Sequence, residues 1–395
     1  MGFSRLLLQV SRQHLQLRNV KNLYPCSYHT SLMFASNKGI TNESVASYAF
    51  NCQEFNSQHR SSLMMSSRAL YSSDASSIEV SPKEAELELY AKTPKELHDK
   101  IIKSITDQKT APRNSWLWAL IVNCDNREDI KLLFNVLENL RKFRLSSLRI
   151  SKNFNENICR YVSHVCVSRG ATDFAKKTLW KHNVYGLTPS VASAHNILLY
   201  AKKHNDVKLM VDVMKLLKAN DLPLQPGTAD IIFSICYNTN SWDLMCKYAK
   251  RFVKAGVKLR RTSFDTWMTF AAKLGDVDSL WKVEKLRSEV MKTHTIGSCF
   301  SCAKGLLLER KPEESAAIIQ VITQTFPEAK KSEIMLEIER LVNKWPLEVL
   351  KNRKDEDKMA LAAGLLEDIP AMISSLRGLG VKTDVKLEDS TKRAF

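Results

Sequence analysis

A period of 35 residues runs through the middle of this chain and restricts its fold more than any other feature. Stepping by 35 from Cys166 reaches Ala201, Cys236 and Ala271, a column of small residues. The same step from Val162 reaches Ile197, Ile232, Trp267 and Cys302, and from Ala175 it reaches Met210, Met245 and Leu280. Phe174, Leu209 and Leu244 form a further apolar column. The polar breaks keep step too: Gly170, Asn205, Asn240 and Gly275 mark one turn, and Gly186, Asp221 and Gly256 mark another. Gly, Asn and Asp tolerate the left-handed backbone that ends a helix, so each period reads as helix, turn, helix, turn.

A helical hairpin of this size cannot bury its apolar faces alone, whereas stacked neighbours share one continuous core. The expectation is an all-α solenoid. With only 12 Gly and 11 Pro in 395 residues, the frequent turns of an all-β fold are not provided for. The pattern places the repeat array at 113–325, beginning with a less regular helix pair at 114–124 and 128–142. A helical lead-in occupies 78–112, where Ser81-Pro82-Lys83-Glu84 and Thr93-Pro94-Lys95-Glu96 each read as a capping box with Pro in the first helical turn. Less regular helices at 332–344, 347–354 and 357–376 continue through 326–380 as caps, and 381–395 reads as a disordered tail. No stretch of eighteen apolar residues occurs, so no membrane span is expected on length.

Residues 1–77 differ in kind. Arg5, Arg12, Arg18, Lys21, Lys38, Arg60 and Arg68 face only Glu43 and Glu54 before residue 74, in Ser-rich surroundings. That composition fits a mitochondrial transit peptide cleaved between Arg68 and Ser77, with a plastid peptide or a plain basic tail as alternatives. Residues 1–73 account for five of the net +17 charges, so the remainder still carries +12. Such a balance suits a polyanionic partner. The nine Cys follow no extracellular spacing, which points to a reducing compartment.

The period and its motifs resemble the pentatricopeptide repeat family. The resemblance lies in HNILLYAKKHND at 195–206, FDTWMTFAAKLGDVDSL at 264–280, and the turns GLTP at 186–189, DLP at 221–223 and AGV at 255–257. A tetratricopeptide reading would need a 34-residue step and a Trp-Leu-Gly-Tyr ladder. The pentatricopeptide resemblance implies a right-handed superhelical solenoid of helix-turn-helix repeats and RNA binding in organellar gene expression. It further implies base reading by the fifth and last residue of each repeat. Those pairs here are Arg160 with Ser190, His195 with Gln225, Asp230 with Arg260 and Asp265 with Thr295; a shifted register puts Asn196 fifth and Pro226 last. None combines a small polar or Asn side chain with Asp or Asn, as that family's code requires. Arg160, His195, Asn196, Asp230 and Asp265 are therefore the repeat-position candidates. Three outcomes are open: no base-by-base reading, recognition by shape and phosphate, or a protein-binding scaffold.

No GxxxxGK[ST], HExxH, GxSxG or GxGxxG motif occurs, nor a His followed two residues later by Glu, and no catalytic residue is expected. Cys299 and Cys302 form the only CxxC, without a second ligand pair. Both fall in apolar columns, so they read as core thiols and no metal or cofactor is expected. The strongest charge feature is KYAKRFVKAGVKLRR: Lys247, Lys250, Arg251, Lys254 and Lys258 share one helical face, with Arg260 and Arg261 at the turn. This stripe suits phosphate contacts, or else is simply a solvated face. A smaller cluster comprises Arg141, Lys142, Arg144, Arg149 and Lys152. The combined expectation is a non-catalytic, RNA-associated protein of the mitochondrial matrix. It would act as a mitochondrial ribosome component among ribosomal proteins, or as a transcript-binding factor for processing or translation. The alternative is a protein–protein scaffold without RNA contact.

Overall fold

The computed structural model describes residues 90–146, 151–352 and 355–381. The expected transit segment and residues 382–395 lie outside them. Every element among the described residues is helical. Three helices lead in: α1 (Pro94–Thr106), α2 (Asn114–Asn123) and α3 (Arg127–Ser146). Thr93 and Glu96 close the expected capping box, each side chain accepting the other's backbone N–H at 3.3 Å, with Pro94 in the first turn. Paired helices follow: α4 (Glu156–Ser168) with α5 (Thr172–Lys177), α6 (Val191–His204) with α7 (Val207–Ala219), and α8 (Pro226–Asn238) with α9 (Trp242–Lys254). The pairs α10 (Arg261–Leu274) with α11 (Val277–Val290) and α12 (Ile296–Leu308) with α13 (Pro312–Thr325) complete the series.

The first helices α4, α6, α8, α10 and α12 pack on one another in chain order, and each of α7, α9, α11 and α13 packs on the first helix of its own pair. The 35-residue columns form the contact faces. Cys166, Ala201, Cys236 and Ala271 are fully buried, and small side chains there let neighbouring first helices approach closely. Both turn columns adopt the left-handed backbone: φ is 70° at Gly170, 51° at Asn205, 53° at Asn240 and 72° at Gly275. In the second column φ is 70° at Gly186, 54° at Asp221 and 69° at Gly256. Arg310, one step beyond Gly275, takes φ 63° as well, so the geometry outlasts the residue preference.

One pair is uneven, because α5 has only six residues. Beyond it the buried Asn183 organises the chain: its amide donates to the carbonyls of Trp180 and Leu187, and its Oδ1 accepts the N–H groups of Tyr185 and Leu187. One side chain thus replaces hydrogen bonds that a longer helix would have made itself.

After α13 come a 3-10 turn (Glu328–Lys330), α14 (Lys331–Glu339), a π-helical turn (Arg340–Lys344), α15 (Trp345–Lys351) and α16 (Asp355–Gly378). Helix α16 lies on α13 and α12, whereas α15 reaches back to α10. There the buried Trp345 donates its indole N–H to the Ala272 carbonyl at 2.9 Å, and Asn352 donates to that of Lys273. The expectation of no membrane-length apolar helix needs a correction. Residues Asp357–Gly378 are long and apolar enough by length and composition. Their apolar residues Leu365, Ile369, Met372, Ile373 and Leu376 sit in the core shared with α12 and α13, which accounts for the hydropathy.

Candidate nucleic-acid interface

The repeat-position candidates sit at or near the N-terminal ends of the first helices, and hydrogen bonds between consecutive helices occupy most of them. The Asn196 amide donates to the Arg160 carbonyl at 3.0 Å and to Ser163 Oγ at 2.9 Å, tying α6 to α4. His195 Nε2 meets Thr228 Oγ1 at 2.7 Å, tying α6 to α8. Burial, and behind it the Arg260 charge, holds the His195 imidazole below its usual pKa. Asp230 accepts from Thr262 Oγ1 at 2.7 Å, from Ser263 Oγ and from Arg260 Nη1 at 3.3 Å. Asp265 accepts from Thr295 Oγ1 at 2.6 Å; burial raises its carboxyl pKa against the opposing pull of that hydrogen bond. The fifth-and-last pairs Asp230 with Arg260 and Asp265 with Thr295 thus do meet, yet they bind each other. Arg160 alone keeps an exposed head, 5.3 Å above the Tyr161 ring.

Two of these partners, Thr228 and Ser263, belong to a column of their own. Ser193, Thr228, Ser263 and Ser298, spaced by 35, are all fully buried near the N-terminal ends of the first helices. A buried hydroxyl needs a partner, and for Thr228 and Ser263 that partner is the fifth-position side chain of the preceding unit. Farther along the first helices, the segment containing α14 and α15 covers the layer. Lys304 on α12 is half-buried with Glu337 and Glu348 in its electrostatic surroundings, and its pKa is lowered chiefly by burial. Tyr237 on α8 has the same two carboxylates in its surroundings.

The basic stripe divides. Arg251 is half-buried and donates to the Met214 carbonyl of α7 at 3.1 Å, so it joins two second helices. Arg260 is held by Asp230, and Arg261 donates to Thr293 Oγ1 at 3.4 Å. Lys247, Lys250, Lys254 and Lys258 are exposed and form no ion pair among the described residues. The smaller cluster disperses: Lys142 pairs with Glu138 at 2.8 Å, while Arg144 stacks 4.1 Å over Phe154 and bonds the carbonyls of Ser151 and Asn153. Arg149 lies outside the described residues.

A polar centre that the motif search missed lies between α11 and α12. The Arg287 guanidinium grips Glu284 through two hydrogen bonds of 2.7 Å and donates to His294 Nε2 at 2.8 Å and to the carbonyls of Met291 and Thr293. Both charged side chains are buried. Accepting from Arg287 leaves the imidazole its proton on Nδ1 for Ser298 Oγ, 3.2 Å away. The signal was present in the repeat register. In the two preceding units Glu284 follows Met214 and Ala249, Arg287 follows Leu217 and Phe252, and His294 follows Leu224 and Leu259. Three polar residues in three apolar columns of one unit imply that they satisfy one another. Ligand atoms of Glu284, His294 and Cys302 lie within 4.8 Å of one another, but the guanidinium already supplies the positive charge that Glu284 requires. Burial pushes the Cys299 thiol up to about 12 and the Cys302 thiol well above its ordinary value, as befits core thiols.

No protein-family model matches the chain, and a comparison with curated proteins finds no match either. The likeness to pentatricopeptide repeats therefore rests on the period, the turn residues and the pairing of helices.

Proposed function

We propose that this is a non-catalytic, RNA-associated helical-repeat protein of mitochondrial gene expression, with its paired helices wound as a right-handed pentatricopeptide-like solenoid. The observation that carries the reading is the row of exposed, unpaired Lys247, Lys250, Lys254 and Lys258 on α9 and its turn, in a chain of net charge +17. Such a row attracts phosphate without reading sequence. Because the side chains that would read bases are engaged between helices, recognition by shape and phosphate accounts for the surface better than a base code. That favours a constituent of the mitochondrial ribosome over a transcript-selective factor. The Arg- and Ser-rich composition of residues 1–77 supports delivery to the matrix.

The second reading, a scaffold for proteins, draws on the cover that α14 and α15 place over the first helices. Sedimentation of the endogenous protein in a mitochondrial lysate separates the readings. Migration with one ribosomal subunit after magnesium chelation and a moderate salt wash supports the ribosomal form. A light species shifted only by nuclease supports a free RNA-binding factor. A complex indifferent to both chelation and nuclease supports the scaffold.

A further inference from the structure

The lysines of α9 belong to a wider pattern. Stepping by 35 from Lys250 reaches Lys215 on α7 and Lys285 on α11, and from Lys247 it reaches Lys282 on α11. Lys208 and Lys218 on α7 add to the set. All are exposed, and none forms an ion pair among the described residues. The three helices are neighbours: Arg251 of α9 bonds the Met214 carbonyl of α7, and Asp276, which caps α11, lies within electrostatic reach of Cys246 on α9. Acidic residues are set aside from the row. Asp243 and Asp278 stand in first helical turns, Asp212 is paired with Lys176 at 3.1 Å, and Glu284 is buried with Arg287. Glu289 alone stands exposed in the later turns. A surface with no role beyond solubility intersperses both signs; this one presents one sign in register across three helices.

We infer that this band across α7, α9 and α11 binds the sugar–phosphate backbone of duplex or folded RNA. The inference rests on the RNA-associated reading and names both the face and the form of the ligand. Single-strand sites combine basic grooves with aromatic platforms on which bases stack. No aromatic side chain is exposed on α7, α9 or α11: Tyr248 is buried, Trp242 and Trp281 are half-buried, and the Trp281 indole is bonded to Glu309. What remains is charge on rigid helices. At the usual helix spacing of about 8–10 Å, the Lys215, Lys250 and Lys285 row spans about 20 Å. Over that length a duplex presents about twice the phosphates of one strand, already held in place.

The test is fluorescence-anisotropy binding of the full chain to a generic RNA duplex and to the single strand of the same length, across a salt series. The variants are K215E/K250E/K285E and, as a control on the first-helix face, R160E/K203E. All substituted positions are exposed, and circular dichroism confirms that both variants are folded. The expected result is tighter binding of the duplex, a loss of about tenfold or more in the band variant, and a salt slope shallower by about three. The control should retain duplex affinity. Equal binding of both RNA forms, or a loss only in R160E/K203E, overturns the assigned face and ligand while leaving an RNA-associated protein. Failure to bind either RNA at low salt removes the functional reading as well. Poly-L-glutamate bound as tightly as duplex, charge for charge, gives the band to an acidic protein partner and overturns the inference.

Discussion

Replacing Arg287 tests whether a polar centre inserted into an apolar repeat is held by its own reciprocity. In Arg287→Met the carboxylate of Glu284, 5% exposed, loses both 2.7 Å hydrogen bonds and its counter-charge, and the carbonyls of Met291 and Thr293 lose their donor. Removing one member of a buried pair costs about 3–5 kcal/mol because the other charge stays buried. Glu284→Ala should cost a similar amount by stranding the guanidinium. The double variant restores the residue types of the columns, Ala249 at one position and an apolar chain beside Phe252 and Leu217 at the other. Met291 is half-buried and Thr293 exposed, so the double variant should fall within about 1–2 kcal/mol of the parent protein. Urea unfolding followed at the helical circular dichroism band gives the four corners of the cycle, and hydrogen exchange of the α12 amides shows whether the loss is local. Single substitutions costing less than about 1 kcal/mol, or two losses that simply add, would refute the reasoning.

Trp345→Ala should destabilise the contact of α15 with α10 by about 3–5 kcal/mol, raising exchange at the backbone N–H groups of α15 while α4 and α6 keep their protection; uniform loss along the chain would contradict this placement. Both His195 and His294 have folded pKa values held below their usual 6.5 by burial. The unfolded state therefore binds more protons, and stability is full above about pH 6.5 and declines as pH falls below it. Melting temperatures from pH 8 to 5 should show this, with a shallower decline in H195Q/H294Q. Brief alkylation of the folded protein should label half-buried Cys246 ahead of buried Cys299 and Cys302, read by peptide mass spectrometry; rapid labelling of the CxxC pair would contradict the core-thiol reading.

How far the sequence could be read follows from which facts repeat. The turn columns were legible because Gly170, Asn205, Asn240 and Gly275 share one backbone demand, and only a few residue types meet it without strain. The apolar columns were legible because burial selects for type at fixed spacing. The fold-back of Trp345 onto Ala272 was not legible, since it joins positions 73 apart by a single indole hydrogen bond outside any period. The shortening of α5 was hidden for a related reason: Asn183 reads as an ordinary loop residue until its four backbone partners are seen. At the candidate interface, spacing put Lys247, Lys250 and Lys254 on one face but said nothing of which cations were already spoken for. Arg251 has the same spacing and charge, yet its length and planar donors let it reach the Met214 carbonyl, whereas the exposed lysines remain unpaired. The fifth-position residues carry a similar lesson. Asp230 and Asp265 have side chains able to hydrogen-bond a base edge, but the buried hydroxyl column and the helix-start residues Thr262 and Thr295 had a prior claim on them. Register identifies where a side chain starts; competition among neighbouring hydrogen-bond partners decides where its chemistry is directed. A ligand-facing role in an array of this kind is therefore better sought among repeated, exposed and unsatisfied groups than at the positions a family code nominates. By that criterion Lys215, Lys250 and Lys285 stand ahead of Asp230 and Asp265.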